Sequence, residues 1–204
     1  MSQSIGNKML KRIYNKNRGW VFTANHFLDL GSRTAVAQSL VRLVKAGCIR
    51  RLAHGLYDYP EKHPALGDLP PNYERIAQAL AGRDSLKIQP SGAYAANLLG
   101  LTDQVPAKVV FLTDGPNRTV HINKQQIVLK RTTPKNMATA GRISGLVIQA
   151  LRYLGQDHVD DHIIGMLHKR LSAEDKQQLM KDLRFAPVWI GDIFRQLQKC
   201  EDCG

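Results

Sequence analysis

The 204-residue sequence predicts an α+β protein: a small basic N-terminal module of helices and a hairpin, then a mixed α+β domain ending in helices. Three observations predict it. Helix caps, turns and a two-strand pattern follow one another in order between Thr23 and Pro60. Positive charge is concentrated at the same end of the chain. Beyond a proline-bearing stretch at 60–71, helical and strand periodicities alternate before giving way to helices alone.

Within the first 60 residues, Ile5, Met9 and Ile13, with Leu10, recur at helical spacing and predict a helix over 4–16. Trp20 and Phe22 are placed to close a small core against it. Thr23 suits the N-cap of a helix over 24–30, with Gly31 as its left-handed C-terminal residue. Ser32 caps a further helix over 33–46 that ends at Gly47. At about 100° per residue, Val36, Leu40, Leu43 and Val44 fall on one face of that helix, while Thr34, Gln38, Arg42 and Lys45 fall on the other. Strands over 49–52 and 56–59 are hinged at His54 and Gly55.

Helix, turn, helix and hairpin in this order predict a winged helix-turn-helix over 1–60, a shape that brings one helix to the major groove of DNA. The expected base-reading residues are Arg33, Thr34, Gln38, Arg42 and Lys45, because glutamine pairs bidentately with adenine and arginine with guanine. Lys11 and Arg12 on the first helix, and Arg50, Arg51 and His54 on the wing, are expected to meet phosphates. Taken one at a time, these residues fit a solvated basic helix face better; the ordered succession of cap, stripe and hairpin carries the expectation.

Charge agrees. Lys and Arg number 29 against 17 Asp and Glu, a net +12. The first 60 residues hold ten of the cations and two acids, a net +8, leaving +4 for the other 144. Double-stranded DNA is the expected partner, bound in a salt-sensitive way. No segment approaches 18 consecutive apolar residues and the N-terminus lacks the apolar core of a signal peptide, so no membrane association and a cytoplasmic location are expected. Three cysteines argue against a disulfide scaffold. Cys48 is expected to be a small buried apolar residue. Cys200 and Cys203 form a CxxC inside an expected flexible tail, 200–204, with no second pair to complete a zinc site.

Residues 61–71 are expected to form a Pro-rich linker to a domain over 72–199. Asn72 caps a helix over 73–81 with Ile76, Ala77 and Leu80 inward, ended by Gly82. A strand over 86–89 leads to a helix capped by Ser91 and ending at Gly100. Strands at 108–113 and 121–130 are expected around the turn DGPNR. Arg118, Lys124 and Arg131, with Lys108 and Lys130, make this hairpin a candidate second DNA surface; the alternative is that they guard an exposed sheet edge. A helix starting at 139 or 140 reaches Tyr153, Ser172 and Asp175 form a loose capping box for a helix to Leu183, and Pro187 opens a last helix carrying Trp189, Ile190, Ile193, Phe194 and Leu197.

Catalytic patterns do not emerge. His158 and His162 stand four apart among Asp160, Asp161 and His168, but Val159 occupies the place where a zincin needs glutamate, so a solvated helix start is expected and no metal. Ser91 is not a nucleophile elbow, since Gln89 and Ala93 stand where glycines are required. With no Walker A or dinucleotide pattern either, no enzyme, no catalytic residue and no cofactor are expected.

Up to about Leu197, the chain resembles the AbiE-type (AbiEi-like) antitoxin regulators of bacterial abortive-infection systems, in a shorter branch of them. The resemblance rests on GSRTAVAQSLVRLVKAGCIRRLAHGLYDYP at 31–60, PPNYERIAQALAGRD at 70–84, IQPSGAYAANLLGLTDQVPAKVVFLTDG at 88–115 and FAPVWIGDIF at 185–194. It implies an N-terminal winged helix-turn-helix that represses its own operon, and a C-terminal domain that counters a nucleotidyltransferase-like toxin encoded beside it. Longer members carry a larger antitoxin domain. Since one winged module reads a single half-site, an inverted repeat in the protein's own promoter is the expected DNA partner. The alternative function is a DNA-targeting accessory protein whose C-terminal domain is structural or nuclease-associated, with no antitoxin role.

Overall fold

Ser4 opens the first helix: its Oγ accepts the backbone N–H of Asn7 at 3.3 Å, and α1 (Ile5–Asn15) follows. The computed structural model describes residues 4–82 and 86–199, so the expected tail at 200–204 lies outside the described residues. β1 (Val21–Thr23) runs into a 3-10 turn, Ala24–Phe27, where Thr23 and His26 form a reciprocal capping box. α2 (Arg33–Lys45) is capped by Ser32 Oγ, which accepts the Ala35 N–H at 3.3 Å. β2 (Arg50–Ala53) and β3 (Leu56–Asp58) then pair antiparallel about Gly55, whose φ of 72° suits a residue without a Cβ. β1 pairs with the other edge of β3, giving an antiparallel sheet of order β1-β3-β2. Met9, Ile13, Phe22, Phe27, Val36, Leu40, Ile49 and Tyr57 make the core between sheet and helices.

Three expectations about this stretch are corrected. The helix expected over 24–30 is a 3-10 turn that stops at Phe27, because the Phe27 ring is drawn into the core edge-on to Phe22 at 5.4 Å. Gly31 does not take a left-handed φ. Its lack of a side chain serves packing instead: a Cβ there would sit 2.6 Å from Ile5 Cδ1. Cys48 is half-buried rather than buried.

The expected linker is ordered. β4 (Lys62–His63) and β5 (Gly67–Asp68) form a short antiparallel ribbon, and Leu69 N–H donates to the Glu61 carbonyl at 2.8 Å. α3 (Tyr73–Ala81) starts where Asn72 Oδ1 accepts the N–H groups of Glu74 at 2.8 Å and Arg75 at 3.2 Å, and stops at Gly82 with φ 93°. The chain divides into two compact units, one reaching Leu86 and taking in Val120–Asn123, the other comprising Lys87–Thr119 and the residues from Lys124 onward. The boundary expected at residue 72 therefore moves beyond α3. Ile76 and Ala77 are fully buried, and Arg75 Nη1 donates to the Arg18 carbonyl at 3.3 Å, tying α3 into the first unit.

The second unit is built on β6 (Ile88–Ser91), α4 (Ala93–Leu98), β7 (Lys108–Thr113) and β9 (Gln125–Arg131); β8 (Arg118–Ile122) starts in it and runs into the segment assigned to the first unit, and the sheet order is β6-β7-β9-β8. β6 runs antiparallel to β7, and β7 parallel to β9. α5 (Pro134–Met137), α6 (Ile143–Leu154), α7 (Asp161–Arg170), α8 (Ala173–Lys181) and α9 (Val188–Lys199) complete it. Ala95, Val147, Leu151, Leu167, Leu179 and Phe194 are among the residues of one core shared by α4 and α6 to α9. The capping box at Ser172 forms as expected: its Oγ accepts from Asp175 N–H at 3.1 Å, while Asp175 Oδ2 accepts from Ser172 N–H at 3.0 Å.

Here too the structure amends the sequence reading. Ser91 ends β6 and donates from Oγ to Gln149 Oε1 at 3.1 Å; the α4 N-cap is Gly92, with φ 61°. The strand expected over 121–130 is interrupted at Asn123, which tolerates a φ of 54°, so DGPNR joins β7 to β8 and does not make the hairpin. α5 was not anticipated, and α6 begins at Ile143 rather than 139 or 140. Among the described residues, no helix is long and apolar enough to cross a membrane.

Candidate nucleic-acid interface

α2 contains no acidic residue. Burying Val36, Ser39 and Leu40 turns the opposite side outward, and Arg33, Thr34, Gln38, Arg42 and Lys45 are all exposed there. Leu43 and Val44 are half-buried and pack against the core. Arg42 and Lys45 occupy the last turn, where positive charge complements the helix dipole. Gln38 and Arg42 also line a shallow groove of about 400 Å³ shared with Ser4, Ile5 and Asn7 at the start of α1.

The expected backbone contacts divide in two. Lys11 is exposed on α1, as is Lys8. Arg12 is engaged internally: Nη1 and Nη2 donate to the Asp29 carboxylate at 2.8 and 2.6 Å, and Nη1 donates to the His26 carbonyl at 2.6 Å. The bond to Asp29 raises the Arg12 pKa despite partial desolvation. On β2, Arg50 is a strut. Nε and Nη2 donate to the Asp58 carboxylate at 3.1 and 2.6 Å, and Nη2 donates also to the Leu69 carbonyl at 3.0 Å. Asp58 is buried, and its bond raises the Arg50 pKa. Arg51 is exposed, with Nη2 at 3.3 Å from Nδ1 of exposed His54 at the hairpin tip. Arg12 and Arg50 are thus each engaged in an ion pair within the chain, whereas Lys11, Arg51 and His54 lie on the surface.

The residues of the candidate second surface, all exposed, are spread along one strand pair. Arg118 begins β8 and Arg131 ends β9, while Lys124 lies in the turn between them. The seven residues of β9 span about 20 Å, which separates Lys124 from the arginine end.

Sequence sorting by polarity passed over two residues of the α2 face. Ala37 is exposed, and Val41 is 50% exposed. At about 100° per residue, Val41 points between Ala37 and Thr34, near the middle of the outward side. The spacing alone could have found it.

Elsewhere, His158 closes a 3-10 turn before α7 while His162 lies within it, so the two do not share one helix face. Asp160 caps α7 by accepting the Ile163 N–H at 2.9 Å. Among the described residues, no group of three His, Cys, Asp or Glu is arranged to hold a metal ion.

A family model described as a family of unknown function (DUF6088) matches residues 8–179. The chain belongs to this family. No curated protein matches this DUF6088 member. Among solved structures, it is similar to the crystal structure of the RV2827C protein from Mycobacterium tuberculosis, at 13% identity and a TM-score of 0.47, over 98% of this chain and 78% of that one.

Proposed function

We propose that this DUF6088 member is a DNA-binding transcriptional regulator of its own promoter and the antitoxin of a bacterial toxin–antitoxin pair. In this reading the first unit is a winged helix-turn-helix, α2 enters the major groove, and the β2–β3 hairpin is the wing. One observation carries it: α2 buries one side in the core and turns a face without acidic residues outward, bearing Arg33, Thr34, Gln38, Arg42 and Lys45. Gln38 and Arg42 read base edges, while Lys11, Arg51 and His54 hold the phosphates on either side. The net +8 of the first 60 residues supplies the long-range attraction.

The antitoxin half is supported by the resemblance to AbiE-type regulators, whose partner is a nucleotidyltransferase-like toxin. Neither role asks for a cofactor or a catalytic group. The test is a reporter driven by the DNA upstream of this protein's own gene. Expression of the protein should silence it, and Arg42→Ala should relieve the silencing. Co-expression with the adjacent gene product should rescue growth if that product is the toxin. An unaffected reporter would remove the regulatory reading, and an unchanged growth defect the antitoxin one.

A further inference from the structure

Val41 is the anomaly of the α2 face. Its neighbours on the outward side, Thr34, Gln38, Arg42 and Lys45, are polar or charged, yet a branched aliphatic side chain stands 50% exposed at the centre. Leu40 and Val36 already fill the core side at 1% and 0% exposure, so burial in this fold does not account for Val41. Ala37, one turn earlier, adds a second exposed methyl. A face free of carboxylates with cations around an apolar centre is complementary to a polyanion that itself carries apolar groups. The major groove of DNA is such a surface, because each thymine projects a 5-methyl group into it.

We infer that Val41 reads a thymine methyl, so that this protein selects an A·T pair next to the pair contacted by Gln38. The inference rests on the major-groove reading of α2 and names the sequence class it recognises. Spacing supports it. Val41 lies three residues beyond Gln38, an advance of about 4.5 Å along the helix axis, close to the roughly 3.4 Å between successive bases of a strand. With Gln38 paired to adenine and Val41 packed on a methyl, two adjacent A·T pairs form the centre of the site, and Arg42 is left to read a flanking guanine.

The experiment begins with selection of bound sites from a random duplex library by the full-length protein. The best site is then resynthesised with each thymine replaced singly by deoxyuridine, which pairs identically and lacks only the 5-methyl. One position should lose about fourfold in affinity, the worth of one buried methyl-sized group. The Val41→Ala protein should bind thymine and deoxyuridine equally at that position and unchanged elsewhere. The DNA substitution leaves the protein intact, so misfolding cannot produce the first result. A selected site indifferent to every deoxyuridine would overturn the inference while leaving sequence-specific binding in place. The same methyl dependence in Val41→Ala would overturn the assignment to Val41. If no site is enriched, the major-groove reading itself falls and this inference with it.

Discussion

Arg50 and Arg51 are adjacent on β2 and have opposite surroundings. Arg50 neutralises a buried carboxylate, and Arg51 faces solvent beside His54. Arg50→Ala leaves Asp58 buried without its cation and should cost about 2–3 kcal/mol, below the full value of a buried pair because Arg50 is partly exposed. Arg51→Ala should stay within about 0.5 kcal/mol in stability, yet weaken binding to every duplex. Urea unfolding and DNA titration of the two variants separate these roles. Asp182 supplies a pH-dependent contrast in the second unit. Burial would raise its pKa, but hydrogen bonds from Ser144 and Gln178 and the charge of Arg142 prevail and hold it below the ordinary 3.8. The fold therefore favours its charged form. That contribution is fully present above the unfolded-state value and is lost as pH falls through the folded one. The urea midpoint should drop as pH falls below the ordinary carboxylate value of 3.8, and Asp182→Asn should be less stable at neutral pH and lose less on acidification.

At the scale of the element, α2 gives the sharpest test, because neighbouring residues face opposite ways. Leu40→Ala should destabilise the protein by about 2–5 kcal/mol, whereas Val41→Ala should change stability by less than about 0.5 kcal/mol. If thermal unfolding showed equal losses, the assignment of the two faces would be wrong. This helix was legible in the sequence, since Ser32, a 3.6-residue apolar stripe and Gly47 agree on its limits. α1, β7 and the capping box of α8 were legible for the same reason: local signals there coincide with the final fold. Elsewhere the deciding contacts are distant in sequence. Nothing between Thr23 and Leu30 reports that Phe27 and Phe22 will meet and shorten a helix to a 3-10 turn. The apolar face of α3 could have joined either unit, and its bond to Arg18 spans 57 residues. The switch at Asn123 separates two strands whose residues read as one run. At the candidate interface the exposed face of α2 was readable, while the capture of Arg12 and Arg50 was not, because Asp29 and Asp58 lie 17 and 8 residues away.

For the whole molecule, the net charge of +12 predicts general attraction to polyanions, and α2 is what must turn attraction into choice. Salt separates the two. A logarithmic plot of affinity against salt should lose about 0.9 of slope for each phosphate contact removed, so Lys11→Ala or Arg51→Ala should flatten it for all duplexes alike. The most direct measurement is a fluorescence anisotropy titration at one salt concentration, comparing DNA upstream of the gene with random duplex. The account predicts a preference of about a thousandfold or more, with Gln38→Ala and Arg42→Ala each losing about tenfold or more on the upstream sequence and little on the random one. Equal affinity for both duplexes, or equal losses on both, would contradict base reading by α2 and leave a basic protein without sequence choice.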